Sequence, residues 1–190
     1  IINEILLFII IFIIIFIIYK IEKIPASAAP TVKMPDLDRP LIKFGTANVS
    51  EKDALTATTK VKELQSLLKK DSKNIFNWLE LALYQKLGGD YEGASISWKY
   101  VSEIAPSDYV SLGNLGDLYA YYIKNNALAQ SYYKNAIGRD PKQVYLYVHL
   151  VGVYTDVFGD LAKAKAIVEE GLKSIPNDEV LLSIRESLNK

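Results

Sequence analysis

Cysteine is missing from all 190 residues, and histidine and methionine occur once each. The first absence excludes disulfides, thiolate nucleophiles and zinc sites built on cysteine. A single histidine, His149, is too few for a histidine metal cluster. There is no surplus of either charge, since 22 Lys and Arg stand against 22 Asp and Glu. Neutralising phosphates takes a clustered positive excess, and nothing beyond pairs such as Lys69-Lys70 supplies one; nucleic acid is not an expected partner. Also lacking is any constellation of nucleophile, base and paired acid. "LGGD" at 87–90 reads as a turn and "GNLG" at 113–116 as helix interior, so neither is a phosphate loop. No catalytic residue, metal or cofactor is expected, and the chain does not read as an enzyme.

What the sequence has in excess is isoleucine at one end. Ile5 to Tyr19 is an unbroken apolar or aromatic run, and counting residues 1–21 gives a stretch of 21 with only Asn3, Glu4 and Lys20 as strongly polar members. At about 1.5 Å per residue, that length reaches the roughly 30 Å of a bilayer core. Tyr19, Lys20 and Lys23 suit the interface beyond it. The expectation is a retained single transmembrane helix over 1–21, with the lipid bilayer as a partner. A cleaved signal peptide, with "ASA" at 26–28 as its cleavage site, is the rival reading. Residues 22–50 form a Pro/Ala-rich linker, with Pro25, Pro30, Pro35 and Pro40 spaced by five. Such spacing blocks helix and favours an extended spacer, although "PLIKF" within it could also dock as an arm on the helical domain. An anchor with such a linker suggests a single-pass protein of a bacterial cell membrane, its helical domain extracytoplasmic.

From residue 51 the apolar pattern becomes helical, with Val61, Leu64, Leu67 and Leu68 at helical spacing behind a cap at Ser50. A period then emerges. Pro106, Pro141 and Pro176 are 35 residues apart, and so are Ala94, Ala129 and Ala164, and Tyr84, Tyr119 and Tyr154. Trp98, Tyr133 and Val168 keep the step, as do Asp90, Asn125 and Asp160. Each copy reads as a helix, a short turn with an Asp or Asn cap, a second helix bearing a small residue where its neighbour comes close, and a terminating proline. No copy buries its apolar face alone, so stacking is expected.

This pattern resembles the tetratricopeptide repeat family, whose unit is usually about 34 residues. The residues carrying the resemblance are Trp78, Leu81, Ala94, Trp98 and Pro106 in the first copy. In the second they are Gly116, Tyr119, Ala129, Tyr133 and Pro141, and in the third Tyr154, Ala164 and Pro176. The resemblance implies an all-α, right-handed solenoid over 51–190: a partial repeat at 51–73, repeats at about 74–108, 109–143 and 144–178, and a capping helix at 179–190. It also implies a groove lined by the first helix of each copy. The candidate groove residues are Asn77, Gln85, Lys86, Asn114, Asp117, Tyr121, Tyr145 and His149.

Thirteen tyrosines strengthen an interaction reading, since neighbours such as Tyr121 and Tyr122 cannot both point inward and exposed tyrosine suits protein interfaces. The expected function is a membrane-anchored scaffold that recruits a protein partner, a peptide segment or a helix. The alternative is a structural or accessory subunit of a membrane or envelope assembly that self-associates.

Overall fold

The computed structural model describes residues 32–42 and 48–190. Capping chemistry sets where the helices begin. Ser50 accepts from the Asp53 amide to open α1, Glu51–Lys70, which has Glu51 and Asp53 in its first turn and Lys69 and Lys70 in its last, matching the helix dipole. Asn74 caps α2, Ile75–Leu87, and Asp90 caps α3, Tyr91–Ile104. The next first helix, α4, runs Val110–Asp117 and passes into a π-helical turn, Leu118–Tyr122. Asn125 caps α5, Asn126–Arg139. The pattern repeats in α6, Val144–Gly152 with a π turn at Val153–Val157, and in α7, Leu161–Ser174, capped by Asp160. Asp178 caps the last helix, α8, Glu179–Leu188.

Consecutive helices pack on one another along the series, giving hairpins α2–α3, α4–α5 and α6–α7 between α1 and α8. The small residues Ala94, Ala129 and Ala164 are fully buried, as are Trp98, Tyr133 and Val168 four residues on. The positions carrying the period thus form the interface within each hairpin. Trp78, Leu81, Gly116, Tyr119 and Tyr154 are buried too, while Pro106, Pro141 and Pro176 lie at least partly exposed where the second helices stop. At Gly116 the hairpin is tight: a Cβ there would lie 2.6 Å from the Tyr133 ring, so only glycine fits.

Hydrogen bonds tie each hairpin to the next with the same step. Ser95 on α3 bonds the Tyr119 hydroxyl, just beyond α4, at 3.1 Å, and 35 residues later Gln130 on α5 accepts from the Tyr154 hydroxyl, just beyond α6, at 3.0 Å. Arg139 adds a staple of its own, donating to the carbonyls of Ser102, Ala105 and Asp108 and so covering the C-terminal end of α3.

Part of the segment read as a spacer is packed. Leu37 is buried among Val61, Leu64, Leu68, Trp78, Leu81 and Val101, with Leu41 beside them. Arg39 forms a two-pronged pair with Asp90, the cap of α3, and its carbonyl accepts from Gln65 at 2.7 Å. Lys69 pairs with Asp38. Lys43 and Phe44 of "PLIKF" lie outside the described residues.

The fold-class expectation needs correction. The all-α class stands, with eight helices and no strand among the described residues. No helix among them, however, is long and apolar enough to cross a membrane. The longest, α1, spans 20 residues but carries Glu51, Lys52, Asp53, Lys60, Lys62 and Glu63, charges that hydrocarbon would not admit. Residues 1–21 lie outside the described residues. The transmembrane helix, the lipid bilayer as partner and the single-pass cell-membrane location are withdrawn accordingly.

Candidate functional site

The 35-residue step sorts the candidate groove residues by face. Asn114, Asp117 and Tyr121 succeed one another at spacings of three and four along α4 and its π turn, and Tyr145, His149, Gly152 and Asp156 do the same along α6. Lys86 belongs to the same face, because Lys86, Tyr121 and Asp156 are successive members of one period. Two candidates fall elsewhere. Gln85 is buried and its amide oxygen accepts from Ser97 at 2.8 Å, which makes it part of the α2–α3 interface. Asn77 is half-buried in the first turn of α2, where its amide donates to the Asn74 cap; its successors by the period, Leu112 and Tyr147, are core.

The structure brings Asp117, Tyr121, Tyr145 and His149 together. Asp117 lies at the last α-helical residue of α4, just before the π turn, and its carboxylate faces α6. It accepts from the Tyr133 hydroxyl, and both its oxygens lie 3.3 Å from His149 Nδ1. Tyr145 stands edge-on to His149 with ring centres 5.8 Å apart, and Tyr109 tilts against Tyr145 at 6.2 Å. The Tyr121 hydroxyl and the Asp156 carboxylate each lie 3.9 Å from the point a Gly152 Cβ would occupy, which places both beside the same stretch of α6. Tyr121, Lys124 and Asp156 also line a hollow of about 510 Å³.

Burial and negative neighbours hold these phenols in their neutral, donating form. Burial, then Tyr109 and the carboxylates of Asp108 and Asp117, push Tyr145 up to about 12. Tyr121 is raised by burial and by Asp117 and Asp156, and Tyr133 is raised further by its own burial and its bond to Asp117. Tyr121 nevertheless keeps 44% of its surface exposed and Tyr145 38%. Neither 110–123 nor 144–158 contains a Lys or Arg. Within these two segments the face offers aromatic rings, two carboxylates and one imidazole, with the ammonium groups of Lys86 and Lys124 at its edges.

Lys86 stands apart from this set. Its ammonium lies 5.5 Å from the centre of the Tyr122 ring and 5.9 Å from that of Trp98, a self-satisfied cation–π contact. Sequence reasoning missed Asp156 and the role of Tyr133 as donor to Asp117. The period could have found the first, since Asp156 is 35 residues beyond Tyr121. The second required knowing that Gly116 lets Tyr133 slide across α4. Among the described residues no group of three or more His, Asp or Glu could hold a metal ion.

Neither a scan against protein-family models nor a search of curated proteins found a match for this chain. The tetratricopeptide resemblance and the right-handed solenoid inferred from it are corrected by that result: the chain is not assigned to the family. What remains is an all-α array of three helical hairpins with a 35-residue step and π-helical turns in two of them.

Proposed function

We propose that this chain is a protein-contact module, acting by binding and not by catalysis, and that the face of α4 and α6 holds a partner segment containing Lys or Arg. The observation that carries this reading is the half-exposed pair Tyr121 and Tyr145 beside Asp117 and Asp156, on helices without a single Lys or Arg. A cation over a tyrosine face gains about 0.5–2 kcal/mol, and a neighbouring carboxylate adds a charge-assisted hydrogen bond. Against catalysis stands the isolation of the imidazole. Among the described residues the hydrogen bonds of His149 go to Asp117 alone, with no hydroxyl in line as a nucleophile.

Fluorescence anisotropy of the full chain with short synthetic peptides tests this. Lys- and Arg-containing peptides are expected to bind, to weaken with added salt, and to lose binding to the double variant Tyr121→Ala/Tyr145→Ala. Equal binding of Glu-containing counterparts, or full binding to the double variant, would count against the reading.

A further inference from the structure

The turns inside the three hairpins align at their positive-φ residues, Gly89, Lys124 and Gly159, which keep the 35-residue step. One place earlier stand Gly88, Ile123 and Phe158, and four places later, on the second helices, stand Gly93, Leu128 and Lys163. The second and third hairpins fill both places with their own side chains, and Ile123 and Phe158 pack against the core. In the first hairpin both places are glycine, and the segment 34–42 takes up the space. A Cβ on Gly88 would lie 2.6 Å from Leu41 Cδ2 and 3.0 Å from the Cβ of Ala57 on α1. A Cβ on Gly93 would lie 2.6 Å from Arg39 Nη1. Backbone conformation does not demand either glycine, since Gly88 has helical angles and Gly93 lies inside α3. The cap between them differs as well: Asp90 is buried, whereas Asn125 is exposed and Asp160 partly so.

We propose that these features form a linear-motif binding site, where α1 meets the α2–α3 turn, for a non-helical segment of the pattern Leu-X-Arg-X-Leu. Residues 37–41 are its built-in occupant. Three side chains define the ligand. Leu37 enters the apolar cluster of Val61, Leu64, Leu68 and Trp78. The Arg39 guanidinium forks onto Asp90 and reaches Glu92 at 3.4 Å. Leu41 takes the notch left by Gly88. Asp38 and Pro40, between them, are exposed and stand at the free positions of the pattern. Gln65 donates to the Arg39 carbonyl and so reads only backbone. A buried carboxylate is costly without a cation, and its two oxygens match the planar fork of arginine better than the point charge of lysine. While 37–41 fill the site, it is closed to a segment of the same pattern on another chain. The site involves neither α4 nor α6 and does not rest on the reading of that face.

The test empties the site and offers its occupant back. In the full chain, Leu37→Ser/Arg39→Ser/Leu41→Ser removes all three contacts. Tyr121→Ala/Tyr145→Ala is present throughout, so that the α4–α6 face adds no binding of its own. The emptied chain is expected to keep its helical circular dichroism and to bind a fluorescein-labelled peptide of residues 34–42 saturably in anisotropy. The chain that retains its own 37–41 should bind that peptide at least about tenfold more weakly. Arg39→Lys in the peptide should weaken binding to the emptied chain about tenfold. Adding Gly88→Ile, the residue of the second hairpin, should abolish it. Four results would overturn the proposal. They are loss of the helical signal on emptying, no binding to the emptied chain, equal binding to the filled chain, and affinity untouched by Gly88→Ile. The first would make the segment part of the core and not a ligand.

Discussion

The turns of the first and third hairpins share a plan and differ in what surrounds them. In both, a glycine at positive φ, Gly89 or Gly159, precedes an aspartate that caps the second helix, Asp90 or Asp160. Yet Asp90 has 1% of its side chain exposed and is clasped by Arg39 from the packed segment, whereas Asp160 has 31% exposed and pairs with Lys163 on its own helix. The same capping residue is thus a local device in one place and an anchor for a distant segment in the other. The helix ends differ as well. Gly88 closes α2 with an ordinary α bond to Tyr84, while Ile123 and Phe158 reach back five residues to Leu118 and Val153. In α4 and α6 the wider π turn falls directly beyond the face that carries Asp117 and His149, a placement π turns often have at functional sites.

The largest test of this contrast is to remove each cation. Arg39→Met leaves a buried carboxylate without its partner and should cost about 3 kcal/mol, with protease sensitivity appearing in 34–42. Lys163→Met should cost no more than about 0.5 kcal/mol, because the pair is exposed. Equal losses in urea denaturation would erase the distinction between the two caps.

Next in size is the backbone of the turns. Gly159→Ala forces a Cβ into positive φ and should destabilise by about 1 kcal/mol. The second hairpin already bears such strain at Lys124, with φ of 59°, so Lys124→Gly should be neutral or slightly stabilising. A loss of stability on Lys124→Gly would show that the Lys124 side chain has an unrecognised role.

A smaller effect separates the tyrosines by pH. Tyr145, pushed up to about 12, keeps its proton in the folded chain after the unfolded chain, near the ordinary value of about 10, has lost it. Tyr133 is shifted in the same direction. The unfolded state then binds fewer protons, so stability is full below about pH 10 and falls as pH rises toward about 12. Tyr119, lowered by its bonds to Lys99 and Ser95 despite its burial, works the opposite way and offsets part of the loss. Tyr133→Phe should cost about 1 kcal/mol at neutral pH and flatten the alkaline decline. An unchanged decline would mean that Tyr133 does not contribute to it.

The hairpins were legible in the sequence because their grammar is local: caps at Asp90, Asn125 and Asp160, and an alanine four residues after each. The π turns were not, since a helix that widens over Leu118–Tyr122 has the same apolar spacing as one that does not. Packing of 34–42 was hidden by its prolines, which announce an extended backbone and say nothing of Leu37 finding a cavity or Arg39 finding Asp90. At the candidate site, the groove implied by the family resemblance placed Asp117, Tyr121, Tyr145 and His149 together on the first helices. It could not show that Asp117 and His149 meet across α4 and α6, because that depends on how closely the two helices approach, as at Gly113 of α4, where a Cβ would lie 3.0 Å from Leu146 of α6. Gln85 misled for a related reason: a polar side chain on a first helix looks like a surface residue until Ser97 is seen opposite it.

The sole histidine makes the central claim directly measurable. In the full chain, His149 gives one imidazole signal in a carbon-13 NMR spectrum, with no other histidine to confuse it. On adding a Lys- or Arg-containing peptide, that signal is predicted to move saturably, in step with the anisotropy of the same peptide, because the bound cation sits beside Asp117. A peptide that binds to saturation and leaves the His149 signal in place would contradict the account, placing the contact away from the face of α4 and α6.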